Sequence, residues 1–198
     1  MASSPGHAPR LLLVDNVDSF SFMLADTLRS AGADVTVERN DAADVALALG
    51  PSWDAVVISP GPGRVEDAGS SLAITAACID AGKPLLGVCL GHQAIALACG
   101  ARVERTAPVH GKVARIAHDG SGLFAGQPSP FDAARYHSLG VRAVTPPLVA
   151  NAWSDDGEIM GLRHIGAPVH GLQFHPESIA TPLGVAILRA FVIVAASA

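Results

Sequence analysis

The chain predicts a single-domain α/β fold: an open, mainly parallel sheet flanked by helices, with a more irregular, β-rich C-terminal half. Three observations carry this. Continuous apolar runs of strand length alternate with helix-length segments through the first half. Gly and Pro punctuate the joints between them. With 198 residues, 49% of them hydrophobic, the chain can bury one large core. A strand covered on both faces is apolar throughout instead of alternating, so these runs indicate a sheet with helices on both sides.

In order, residues 1–10 are small, polar and proline-bearing, with no apolar stretch ahead of a cleavage site, and are expected as a flexible tail without signal function. The domain then covers residues 11–198. Leu11 to Val14 is the first strand, and the polar stretch Asp15 to Ser19 leads to a helix from about Phe20 to Ala31, closed by Gly32. Val35 to Glu38 is a second strand, Ala42 to Leu49 a helix and Ala55 to Ile58 a third strand. Ser70 to Ala81 is a helix, Pro84 to Val88 a strand, and Ala94 to Ala98 has helical composition ended by Gly100. Beyond Gly100, Val113 to Ile116 and Val141 to Val144 alternate like half-exposed strands, with a surface loop over 120–130. Val185 to Ala195, interrupted by Arg189 and too short to span a bilayer, is a core-packing last helix.

Between the strand ending at Val88 and the following helix stands Gly87-Val88-Cys89-Leu90-Gly91-His92-Gln93. Glycines two positions before and two after Cys89 remove the Cβ atoms that would collide in a tight strand-to-helix turn, the logic of a nucleophile elbow. Cys89 is thereby pushed clear of the sheet, where the dipole and free amides of a helix N-terminus favour a thiolate. Cys78 and Cys99, inside apolar runs, are expected as buried structural cysteines.

The third strand runs into Ser59-Pro60-Gly61-Pro62-Gly63. Its prolines stiffen the loop and its glycines allow close approach to a ligand. It lacks the spacing of a phosphate loop, with no Lys following. It suits one wall of an oxyanion hole, the Gly61 and Leu90 amides converging on a tetrahedral intermediate, where losing one donor costs about 3–4 kcal/mol. A plain turn is the competing reading.

The second chemical stretch runs from Val169 to Ser178. Pro176 ends the strand at His175, and Glu177 lies two positions on, able to turn back towards the imidazole. An attacking thiol needs a base, and the base needs a partner that holds its tautomer; Cys89, His175 and Glu177 supply the set. Of the eight histidines, His7, His118 and His164 are expected at the surface or in packing, and His92 as a brace for the outgoing helix.

Composition excludes several functions. A net charge of -5 with no basic run argues against nucleic acid and anionic membranes as partners. Three cysteines without a C-x-x-C spacing fit a reducing, cytoplasmic setting. No His/Glu spacing suggests a metal site, and no motif indicates a cofactor in this chain.

The two chemical stretches together resemble the class I glutamine amidotransferase family over nearly the whole chain. The resemblance implies a Cys89–His175–Glu177 triad that hydrolyses the side-chain amide of L-glutamine through a thioester. It implies an oxyanion hole from Gly61 and Leu90, and glutamine held by Gly61, Pro62, Gly63, Gln93, Ser138 and Leu139. Asp15-Asn16-x-Asp18-Ser19-Phe20, the 59–63 loop, His110-Gly111-Lys112 and Tyr136-His137-Ser138-Leu139 look like the branch serving chorismate-using synthases, those for anthranilate and for aminodeoxychorismate. That branch implies a heterodimer or higher assembly with a synthase, itself Mg2+-dependent, and makes His110, Gly111 and Lys112 interface candidates. Two positions depart from the branch: Val17 replaces a usual tyrosine, and Phe22-Met23 a usual aromatic–asparagine pair. Both bear on the partner and neither on the triad.

Three alternatives stay open at this level: a stand-alone γ-glutamyl hydrolase or peptidase, a glutaminase subunit of a non-chorismate synthase, and a binding subunit without catalysis. The site of amination belongs to the synthase, so the sequence does not choose between anthranilate and aminodeoxychorismate.

Overall fold

Residues 8–197 are described by a computed structural model. In chain order the elements are β1 (Arg10–Asp15), α1 (Ser21–Ser30), β2 (Asp34–Arg39), α2 (Val45–Leu49), β3 (Ala55–Ile58), α3 (Ser71–Ala81), β4 (Leu85–Val88) and α4 (Leu90–Ala98). There follow β5 (Val103–His118), β6 (Phe131–Val141), β7 (Leu148–Ser154), β8 (Ile159–His164), β9 (Val169–Leu172) and α5 (Gly184–Ala196). Among the described residues, nine strands form one sheet in the order β2-β1-β3-β4-β9-β8-β7-β5-β6. The β2-β1-β3-β4-β9 side is parallel. From β9 outward every pairing is antiparallel. The parallel half is as expected; the irregular half continues the same sheet as antiparallel strands whose register is broken by bulges in β5–β6 and β7–β8.

The period-2 geometry of a strand sorts the apolar run of β1 onto two cores. Leu11 and Leu13 join α1 and α5 through Leu24, Leu28, Ile187, Leu188 and Phe191. Leu12 and Val14 face the other way, onto Ile74 and Cys78 of α3, Ala48 of α2 and Ile95 of α4. Every residue of β3 and β4 is buried. Each full burial of a Val or Leu side chain is worth roughly 1.5–3 kcal/mol, so this central layer is the rigid platform of the molecule.

Several boundaries differ from expectation. Arg10, placed in the tail, opens β1: its amide donates to Asp54 at 2.7 Å, and the Pro9 carbonyl already accepts from Asp34. His7 lies outside the described residues. Helix α2 starts at Val45 and not Ala42, because Asp44 caps it by accepting from the Leu47 amide. Of the strand expected over 141–144 only Val141 is in a strand, as the last residue of β6; residues 142–144 lie outside the ladder, just before Pro146 and Pro147, which cannot donate to one. Strand β6 itself was missed. Its inward positions Phe131, Ala133, Arg135 and His137 alternate properly, but two of the four are basic, so the hydrophobic pattern is broken.

Candidate active site

Sheet order brings the two chemical stretches together. Strands β4 and β9 are parallel neighbours with Val88 opposite Leu172, and the Cys89 amide donates to the Leu172 carbonyl at 2.8 Å. The residues after each strand therefore emerge side by side at the C-terminal edge of the sheet. Strand β3, on the other flank of β4, delivers the 59–63 loop to the same edge.

Cys89 is a one-residue turn between β4 and α4, at φ 52° and ψ −97°. A non-glycine residue there is strained by roughly 1–3 kcal/mol, and persists because its surroundings dictate it. Those surroundings explain the glycine bracket. A Cβ on Gly87 would lie 2.2 Å from the Gly91 carbonyl oxygen, and one on Gly91 would lie 2.3 Å from the Ile58 carbonyl oxygen. Helix α4 begins directly at Leu90, four residues earlier than its apolar composition suggests. As the first residue of the helix, Leu90 has an N–H without an intrahelical acceptor.

His175 and Glu177 are both buried, and Nδ1 of the imidazole is 2.6 Å from Oε1 of the carboxylate. Burial works against a charged imidazole, but Cys89 and Glu177 outweigh it and raise His175 to about 10. The ring Nε2 is buried without a hydrogen bond of good geometry. Cys89 and Glu177 are the two side chains that act on the ring. Phe20 and Tyr136 set their rings against the imidazole, with centroids 5.0 and 5.1 Å away. Both lay inside motifs noted in the sequence, but their role as aromatic walls of His175 comes from the fold.

A cavity of about 190 Å³ opens beside the sulfur, lined by Gly61, Pro62, Gly63, Cys89, Leu90, Gln93, Tyr136, His137, Ser138 and Leu139. All the residues expected to hold glutamine line this one cavity. A second cavity of about 610 Å³ shares Gly63, Ser138 and Leu139 and extends towards Arg64, Arg105 and Thr106. The 59–63 loop is held by Asn16, whose Nδ2 donates to the Ser59 carbonyl at 3.0 Å while its Oδ1 accepts from Ser71 and Asn40. The loop sits so close that a Cβ on Gly61 would be 2.5 Å from the Cβ of Asn16. Asn16 was visible in the sequence as part of a motif, without this function.

Strand β6 reaches the site from the far edge of the sheet. The His175 amide donates to the Ala134 carbonyl at 3.0 Å, an antiparallel bridge outside the main ladder. Behind the cavity, buried Arg135 donates to Asp156, Glu158 and Nε2 of His137. Burial and the Arg135 charge lower His137 to about 4, so it is a neutral member of the wall. Gln173, opposite Cys89 in the continued register of β4 and β9, was not singled out from sequence; its Nε2 lies 3.6 Å from the sulfur.

Other residues singled out in the sequence lie around this centre. His92 is fully buried against Gly171 and lowered by burial to about 3, consistent with a brace under α4. His118 stacks on Phe124 at 4.9 Å, and His164 accepts from the Gly166 amide. Burial pushes the Cys78 thiol up to about 11 and also raises Cys99, which suits structural cysteines. Gly111, at φ 66°, lies at a bulge of β5, where His110 pairs with Tyr136, while Lys112 is exposed. The interface candidates thus stand across one strand from the ring that covers His175. Among the described residues, no helix is long and apolar enough to cross a membrane, and no three His, Cys, Asp or Glu residues cluster as a metal site.

The sequence model for glutamine amidotransferase class-I matches residues 12–195. The chain is 48% identical over 185 residues to anthranilate synthase component 2 of Mycobacterium tuberculosis, covering 90% of this chain and 79% of that one. It is 45% identical over 185 residues to aminodeoxychorismate synthase component 2 of Escherichia coli, covering 91% and 98% respectively. The crystal structure of a provisionally assigned GMP synthase component from Thermoplasma acidophilum superimposes with a TM-score of 0.87 at 27% identity, over 97% of this chain and 96% of that one. With the elbow, the paired imidazole and carboxylate and the cavity beside them, a match of this extent shows that the chain belongs to the class-I glutamine amidotransferase family.

Proposed function

We propose that this chain is the glutaminase subunit of a chorismate-using synthase: it hydrolyses L-glutamine to glutamate and passes the ammonia to a partner that aminates chorismate. The observation that carries the reading is the single cavity lined together by Cys89, Gly61, Leu90, Gln93, Ser138 and Leu139.

In this reading the Cys89 thiolate attacks the side-chain amide carbon of glutamine. The oxygen of the tetrahedral intermediate is taken by the Gly61 and Leu90 amides. The His175 imidazolium, kept charged by Glu177, gives its proton to the leaving nitrogen, and ammonia departs from a γ-glutamyl thioester. Water then attacks the thioester, His175 accepts its proton, and glutamate leaves with the thiolate restored. Gln93 spends both Nε2 hydrogens on the Leu139 carbonyl and on Gln173, which leaves its Oε1 to accept from the substrate ammonium. Side chains and backbone amides of this chain suffice for these steps; the Mg2+ expected for the pathway belongs to the synthase.

The similarity to component 2 proteins of two chorismate-using synthases supports the partner. Free ammonia is mostly protonated at neutral pH and is then no nucleophile, so a shielded transfer between the two proteins favours the reaction. The bulge at Gly111, with exposed Lys112, is the proposed contact for the synthase, and the cytoplasm the proposed compartment. The experiment measures glutamate release by the chain alone, with a candidate synthase and chorismate, and with Cys89→Ala in the same pairing. Stimulation by the synthase and its loss in the variant are expected, and the mass of the aminated product, which differs between anthranilate and aminodeoxychorismate, identifies the pathway. Fast release indifferent to any synthase favours a stand-alone γ-glutamyl hydrolase, and complex formation without any release favours a binding subunit.

A further inference from the structure

We propose that Gln173 is a positioning residue of the glutaminase reaction, its carboxamide locked by Gln93 so that an N–H is aimed at the sulfur of Cys89. This rests on Cys89 being the nucleophile, as proposed above. Gln173 is fully buried, and its two polar atoms are both engaged inside the site: Oε1 accepts from Nε2 of Gln93 at 3.2 Å, and Nε2 approaches the sulfur at 3.6 Å.

The direction of these hydrogen bonds is decided by groups that cannot turn round. Arg135 carries donors alone, so Nε2 of His137, 3.2 Å from its Nε, must accept. The proton of His137 is therefore on Nδ1, which donates to the Leu139 carbonyl at 3.0 Å. A backbone carbonyl has no donor form, so the second group it meets, Nε2 of Gln93 at 3.0 Å, is also a donor. The other hydrogen of that nitrogen then points at Oε1 of Gln173, and the remaining end of Gln173, its Nε2, faces the sulfur. Flipping Gln173 alone would oppose two donors at Gln93 and place an acceptor against the sulfur.

An N–H held in this direction favours the thiolate over the thiol, and a dipole already in place needs no reorganisation as the thioester forms and breaks. It also fixes the sulfur laterally. The imidazole supplies the proton chemistry, whereas Gln173 supplies direction from the strand beside it. Because Gln173 does not line the glutamine cavity, its loss should slow the covalent step and leave glutamine binding nearly intact.

The test uses the full-length chain and 6-diazo-5-oxo-L-norleucine, a glutamine analogue whose diazoketone alkylates a thiol. Inactivation rates against reagent concentration give a saturated rate and a half-saturating concentration, with the modified residue located by peptide mass. Gln173→Met removes the donor, and Gln173→Glu replaces it with a carboxylate oxygen. Hydrogen bonds to charged groups are worth enough that both variants should lose about tenfold or more in saturated rate, the Glu variant more, with half-saturation within about twofold. A packing role would treat the two variants alike, or weaken binding. A folded variant, judged by its melting curve, that alkylates within twofold of the parent overturns the proposal. Should the buried carboxylate unfold the Glu variant, the near-isosteric Met variant decides. If the parent protein is not modified at Cys89, the nucleophile assignment itself fails, an outcome distinct from an unaffected Gln173 variant.

Discussion

Oε1 of Glu177 stands 2.6 Å from Nδ1 of His175, and both side chains are almost wholly withdrawn from solvent. The pairing fixes the tautomer, leaving Nε2 for the sulfur, and adds a negative charge that sustains the imidazolium. Glu177→Gln keeps an acceptor but removes the charge. Synthase-stimulated glutamate release should fall about a hundredfold, the usual scale of positioned acid–base catalysis. An unchanged rate would remove Glu177 from the mechanism.

Gly87→Ala and Gly100→Ala separate collision from backbone strain. A methyl on Gly87 meets the Gly91 carbonyl at 2.2 Å, whereas one on Gly100 meets nothing within 4 Å and suffers only from its φ of 80°. The first should cost more than about 3 kcal/mol, with loss of soluble protein or of the elbow. The second should cost about 1 kcal/mol with activity retained. Chemical denaturation of both variants gives the comparison.

Asn16→Ala should weaken both stability and catalysis. It leaves the Ser59 carbonyl, the Ser71 hydroxyl and the Asn40 amide without their shared partner. Unsatisfied buried groups cost about 1–3 kcal/mol each in their desolvation. The 59–63 loop loses its anchor, so kcat should fall about tenfold through a loosened oxyanion wall. A melting curve and an assay of the same preparation check the two effects together.

Arg135→Met strands the mostly buried Glu158 carboxylate without its cation. Breaking one side of a buried ion pair typically costs about 3–5 kcal/mol. Adding Glu158→Met should recover a large part of the loss, and a double-mutant cycle in urea measures it. The glutamine KM should also rise in the single variant, because His137 loses the donor that sets its tautomer.

Stability should be greatest close to neutrality, at about pH 6.5–7. Burial first, with Arg135 near His137 and Arg163 near His170 adding to it, lowers those two histidines to about 4, and burial lowers His92 to about 3. Unfolded, each takes up a proton below about pH 6.5, which the folded chain resists, so each removes about 1 kcal/mol per pH unit on acidification. His175 has the opposite sign. Raised to about 10, its contribution is complete below its unfolded value and is lost as pH rises through 10. Urea midpoints at about pH 5, 6.5 and 9.5 should therefore peak at the middle value.

The parallel half of the sheet, the elbow at Cys89 and the pair His175–Glu177 were all legible in the sequence. They rest on local rules: continuous apolar runs for doubly covered strands, glycine where a turn admits no Cβ, and proline where a strand must stop. Contacts between residues distant in the chain supplied the rest. Strand β6 was hidden because Arg135 and His137 occupy its inward positions, a pattern that makes sense only once Asp156 and Glu158 are known to meet them. The tie from Asn16 to the 59–63 loop, the rings of Phe20 and Tyr136 against His175, and Gln173 beside the sulfur likewise follow from sheet order and register. Local sequence encodes backbone conformation and burial pattern, whereas the pairing of distant polar groups is set by which strands become neighbours.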